Sequence, residues 1–148
     1  MPTKSILHMG LTAALVVAAT AAAGYAARPA SLIGSGSAAG YWQGYNTASQ
    51  IPGRRFPTSL VLNQSGNAIT GGFVTASGVY GNGTGTITGS SATITWTNTT
   101  PQCPGTYRNS YHIVGNVMSW TYNGHDCLGS ESGSGRATRA PATTPSKK

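Results

Sequence analysis

Between residues 40 and 139 the apolar side chains fall on alternate positions, in short runs separated by turn residues. The run ATITWTN shows this most plainly, with Ala92, Ile94 and Trp96 alternating with Thr93, Thr95 and Thr97. Successive side chains of a strand point to opposite faces, so a period of two predicts strands with one apolar and one polar face. The same period groups Leu60 with Leu62, Ile69 with Phe73, Tyr107 with Tyr111 and Ile113, and Met118 with Trp120 and Tyr122. In VYGNGTGTIT one face carries Gly81, Gly83, Gly85 and Ile87, which suits a sharp bend or close packing. With GYWQGYN in front and SGSGRATR behind, eight strands are predicted, and this stretch has no helical period.

Eight short strands with short links predict an all-β fold, an antiparallel up-and-down eight-stranded β-barrel, because closure removes exposed edges. A two-sheet β-sandwich is the alternative. A barrel that crosses an outer membrane needs an apolar band on its outward face. Here that face is Thr, Ser and Asn. The links SGN, GSS and GN read as tight hairpins at one end. TASQIPGRR, TTPQCPG and NGHDCLGSE are longer and share the other end with the short link at Ser77 and Gly78.

That loop end collects the unusual residues. Cys103 and Cys127 fall in two of its loops, and in an exported chain such a pair predicts a disulfide. Arg54, Arg55, His125 and Asp126, with Glu131 nearby, form a candidate rim. Trp42, Phe73, Trp96, Tyr107, Tyr111, Trp120 and Tyr122 share the interior. Side chains usually fill so small a barrel, so a packed core is expected. The alternative is an aromatic lining that grips a small apolar or planar ligand.

The ends place the chain in the cell. Lys4 precedes an uncharged run from Met9 to Gly24, and small residues follow. This predicts a signal peptide over 1–26, cut near Ala26, and a secreted or periplasmic, bacterial-type protein. A flexible leader is expected over 27–39, the barrel domain over 40–139, and a disordered basic tail over 140–148. The net charge is +7, and removing Lys4 with the signal leaves +6. No nucleic-acid motif accompanies that charge, so at most weak attraction to an anionic membrane surface is expected.

Candidate chemistry is sparse. His125 and Asp126 imitate a base and its orienter, but no nucleophile is placed beside them. Asp126 and Glu131 are the only acids, on one predicted loop, a poor pair for glycoside hydrolysis. His125, Asp126 and Cys127 are contiguous and lack zinc-ligand spacing. No enzyme activity, cofactor or metal is expected.

GYW, Gly40-Tyr41-Trp42, resembles the G-x-W signature that opens the calycin barrels, the lipocalin and avidin group. In lipocalins a basic residue of the last strand packs over that Trp. The resemblance implies that role for Arg136 in SGRATR, as a barrel-base pair with Trp42. It also implies an exported, non-catalytic binding protein with a small apolar ligand. The chain is shorter than most lipocalins and lacks their usual C-terminal helix. The layout is also similar to small bacterial inhibitors of secreted metalloproteases. That resemblance implies a protease inhibitor whose N-terminal leader enters an exported protease. A structural envelope protein is a third reading.

Overall fold

Alternation in sequence becomes alternation in burial. In β5 (Ser91–Asn98) Ala92, Ile94 and Trp96 are buried, while Thr95 and Thr97 are exposed. The same pattern runs through β1 (Gly40–Ala48), β2 (Ile51–Ser65), β3 (Ala68–Thr75), β4 (Tyr80–Thr88), β6 (Gly105–Val114), β7 (Val117–Asp126) and β8 (Gly129–Arg139). In this computed structural model, which describes residues 36–141, every strand pairs antiparallel with the next. β8 returns to pair with β1, so the barrel is closed and the sandwich alternative falls. The predicted signal peptide, residues 27–35 of the leader and residues 142–148 of the tail lie outside the described residues.

One end is closed by three two-residue hairpins, Gly66-Asn67, Gly89-Ser90 and Gly115-Asn116. Their glycines hold φ near 58°, 59° and 57°, while no described non-glycine residue has positive φ. A turn with positive φ only at its first central position matches the right-handed twist of the flanking strands and favours glycine there. Behind these turns the interior is solid: Trp42, Leu60, Leu62, Ile69, Ile87, Ile94, Ile113 and Met118 are all buried.

The base of this packed half corrects the sequence reading. Arg139, not Arg136, covers Trp42, with its guanidinium 4.3 Å from the ring centroid. Strand parity explains the difference. Along β8, Gly135 and Ala137 are buried and Arg139 is partly buried, whereas Arg136 and Thr138 point to solvent. Arg139 also donates to the carbonyls of Ser37 (2.7 Å) and Ala39. Trp42 Nε1 donates to the carbonyl of Ala38 at 2.9 Å, and Ala38 is fully buried. Residues 36–39 of the expected leader are therefore part of the fold, and Ala140 extends it by donating to the Tyr41 carbonyl.

At the other end two of the three expected long loops are mostly strand. β1 and β2 are separated only by Ser49 and Gln50, and β7 and β8 only by Cys127 and Leu128. β2 absorbs its Pro52 and Gly53 in a bulge. Thr47 pairs with Arg55 but Ala48 with Ile51, leaving residues 52–54 as excess on β2, with Gly53 at φ 79°. Bulges at a barrel rim accommodate residues that would break a regular strand.

Candidate ligand-binding cavity

The glycine-rich strands hold the aromatic side chains in place. Phe73 is opposite Gly81, Trp96 opposite Gly83, Tyr107 opposite Gly124, Trp120 opposite Gly135 and Tyr122 opposite Gly133. A Cβ at any of these glycines would stand within 2.8 Å of the partner ring. Each ring thus lies against bare backbone of the neighbouring strand, a pairing known to rescue glycine in sheets. The rings also pack on one another: Phe73 on Trp96 (5.4 Å) and Tyr107 on Tyr122 (5.9 Å) edge-on, Tyr111 on Trp120 (5.5 Å) tilted.

Held back against the wall, the rings leave the loop half of the barrel hollow. A cavity of about 310 Å³ opens there, lined by Phe73, Trp96, Tyr107, Tyr111, Trp120 and Tyr122. The expected packed core is thus found only in the closed half. Trp42, grouped with the lining by sequence, does not reach the cavity, because it closes the base beneath Arg139. Phe56, Thr58, Asn98, Asn109 and Glu131 also line it and were absent from the predicted lining. Asn109 lies between Tyr107 and Tyr111 at the same parity, so the period of two was the signal for it.

Polar atoms around the cavity are mostly matched in pairs. Trp120 Nε1 donates to Asn46 Oδ1 at 3.0 Å. The Tyr111 hydroxyl accepts from Trp96 Nε1 at 2.8 Å and from Asn109 Nδ2 at 3.0 Å. Asn109 Oδ1 has no partner. Burial pushes the Tyr111 phenol well above its usual range. Tyr107 donates to Asp126 Oδ2 at 2.7 Å, and burial with this carboxylate raises its pKa too. The Tyr122 hydroxyl stands 2.9 Å from the Thr47 carbonyl and 2.8 Å from Glu131 Oε1. Burial first, then Glu131, raises Tyr122. All three phenols stay neutral, and those of Tyr107 and Tyr122 are donors. Glu131 itself is raised, chiefly by burial and against the opposing Tyr122 bond.

The predicted rim separates into two faces. Asp126 lines the cavity, and its Oδ1 also accepts from the Leu128 amide at 2.8 Å. His125 is exposed on the outer face, so the two neighbours point apart and form no base–orienter dyad. Arg55 is likewise outside, 4.4 Å over Tyr45, whereas Arg54 is exposed at the rim, 5.1 Å over the cavity-lining Phe56. The Cys103–Cys127 disulfide, with Cα atoms 5.0 Å apart, ties link 99–104 to the β7–β8 turn. Cys103, Asp126 and Cys127 bring their ligand atoms within 4.8 Å, but both sulfurs are in the disulfide and only a carboxylate remains for a cation.

No family model matches the chain, and no curated protein matches it. A solved structure of a redesigned β-barrel is similar to it, with a TM-score of 0.55 and 15% identity over 70% of this chain and 91% of that one. At that identity the likeness is one of fold alone.

Proposed function

We propose that the protein is an exported, non-catalytic binding protein of calycin type that holds a small apolar, ring-bearing ligand in the loop-end cavity. The observation that carries this reading is the division of one barrel interior into a packed half and a hollow, aromatic half. A fold needing only stability has no use for a cavity of about 310 Å³, since voids in a core are destabilising. Concave, mostly apolar pockets with a few placed polar groups are where small ligands bind. The calycin assignment is supported by a covered Trp at the start of the first strand and a basic residue from the last strand over it. Export is supported by the disulfide and by the signal-like N-terminal sequence. The Thr, Ser and Asn outer face favours an aqueous setting over lipid.

Titration with N-phenylnaphthylamine, a neutral apolar fluorophore, tests the reading. Saturable enhancement of its emission is expected, with energy transfer from Trp96 and Trp120. A linear, unsaturated response would sink the ligand-binding function.

A further inference from the structure

The acids of this molecule are gathered at one place. Of the five described arginines, Arg55, Arg108 and Arg136 are exposed on the outside, Arg54 is exposed at the rim over Phe56, and Arg139 sits over Trp42 at the base. The chain's only two acids, Asp126 and Glu131, both line the cavity. A protein of net charge +7 thus keeps both of its acids in the cavity lining. Partly buried carboxylates usually have cationic partners. Here their side-chain partners are the phenols of Tyr107 and Tyr122, and no basic side chain contributes to the electrostatics of Glu131.

A second feature lies deeper. Asn109 is 7% exposed, faces inward from β6 and lines the same cavity. Its Nδ2 is spent on Tyr111 while its Oδ1 has no donor. A buried acceptor left unmatched is costly and asks for an explanation. Asn109 pairs with Tyr122, and Tyr107, two residues along, is in one row with Gly124 and Glu131. The row of the orphan acceptor therefore sits about 7 Å inward of the Glu131 row, the rise of two strand residues, and Asp126, paired with Gly129, lies two residues further toward the mouth. Both levels present acceptors.

We propose that the cavity takes a small amphiphile with a protonated amine head. The apolar body lies among Phe73, Trp96 and Trp120. The ammonium sits at the mouth between Asp126 and Glu131, beside the faces and hydroxyls of Tyr107 and Tyr122. An amide or amine N–H on the body meets Asn109. Aromatic rings with carboxylates are the physical recipe for holding an organic cation, and desolvation strengthens both terms. The raised Glu131 fits this chemistry, because a bound cation favours its charged form and binding then releases a proton. This ligand class rests on the cavity-binding reading above.

The test compares three probes that share one alkyl body: octylammonium, octanol and octanoate, titrated calorimetrically into the full chain at neutral pH. Octylammonium is expected to bind at least about tenfold tighter than octanoate, with octanol between. Glu131→Gln and Asp126→Asn are each expected to bring octylammonium within about threefold of octanol. Octanol or octanoate binding as tightly as octylammonium overturns the head-group assignment and leaves the cavity reading standing. Selectivity that survives both substitutions overturns it as well. Failure of all three probes to bind removes both readings together. The wild-type comparison decides by itself if either variant does not fold, which far-UV circular dichroism reports.

Discussion

Arg139 lies with its guanidinium 4.3 Å above the Trp42 ring, and both side chains also hydrogen-bond the backbone of residues 37–39. One cation, one indole and one short segment thus close the base of the barrel. Burial lowers the pKa of Arg139, which remains the donor of this arrangement. Arg139→Ala removes a cation–π contact and two charged hydrogen bonds, and about 2–4 kcal/mol of stability should go with them. Arg136→Ala, on the solvent face three residues away, should change stability by less than about 0.5 kcal/mol. Urea unfolding of the two variants distinguishes them, and equal losses would return the role to Arg136.

The glycine seats make a sharper prediction about shape. At Gly135 an added Cβ would meet Trp120 Cζ2 at 2.2 Å and the Tyr45 carbonyl at 2.6 Å. Gly135→Ala should cost about 1–3 kcal/mol, as overpacking does, and displace Trp120 toward the cavity. Gly72→Ala is the control: its nearest neighbours stand at 3.6 Å, and its effect should stay within about 0.5 kcal/mol. Thermal unfolding and the near-UV spectrum of the tryptophans report both effects.

The barrel, its strands and the disulfide were legible in the sequence because parity and turn chemistry are local. Parity also held the correction at the base: in RATR the two arginines are three apart, so only one shares the inward face with Ala137. What misled was composition. Asn123-Gly124 reads as a turn, yet Gly124 is mid-strand, because a side chain there would strike Tyr107 Cδ1 at 2.4 Å. Pro52 and Gly53 read as a loop and are absorbed by a rim bulge. The cavity was not legible, since emptiness depends on where rings lean across strands and not on which residues face inward.

Tyr111 is the acceptor on which two buried donors depend, Trp96 Nε1 and Asn109 Nδ2. Tyr111→Phe keeps the ring and removes the oxygen. Leaving two buried N–H groups unmatched should cost about 2–4 kcal/mol. A midpoint in urea unchanged from wild type would mean that these donors find other partners.

The disulfide joins two neighbouring loops of the cavity rim across a sequence separation of 24. Replacing both cysteines, Cys103→Ser with Cys127→Ser, should lower stability by about 3 kcal/mol through the freed unfolded chain. Cys103 lines the cavity, so the same variant should release N-phenylnaphthylamine faster than wild type in stopped-flow displacement. Lost stability with an unchanged release rate would confine the bond to the unfolded-state effect.

Glu131 ties stability to pH in an unusual direction. It faces Tyr122 and Asp126 from β7, Tyr107 from β6 and, through Tyr122, the Thr47 carbonyl of β1. Tyr122 has one proton for two acceptors. When it gives that proton to Thr47, a neutral Glu131 can donate to Tyr122, and both short contacts become hydrogen bonds. Burial, with the neighbouring Asp126 charge, places the folded pKa above the ordinary 4.5 against the opposing pull of the Tyr122 and Tyr107 hydroxyls. Between the two values the folded protein binds the extra proton, so stability falls as pH rises through that interval. Above the folded pKa the ionised carboxylate is a standing cost, modest because the group is only partly buried. Glu131→Gln keeps a donor for Tyr122 without the charge. It should match wild type at about pH 4 and exceed it by up to about 1 kcal/mol at about pH 8. Urea midpoints across that range decide the matter, and a variant less stable than wild type at the alkaline end would show that the ionised carboxylate is what the Tyr122 hydroxyl requires.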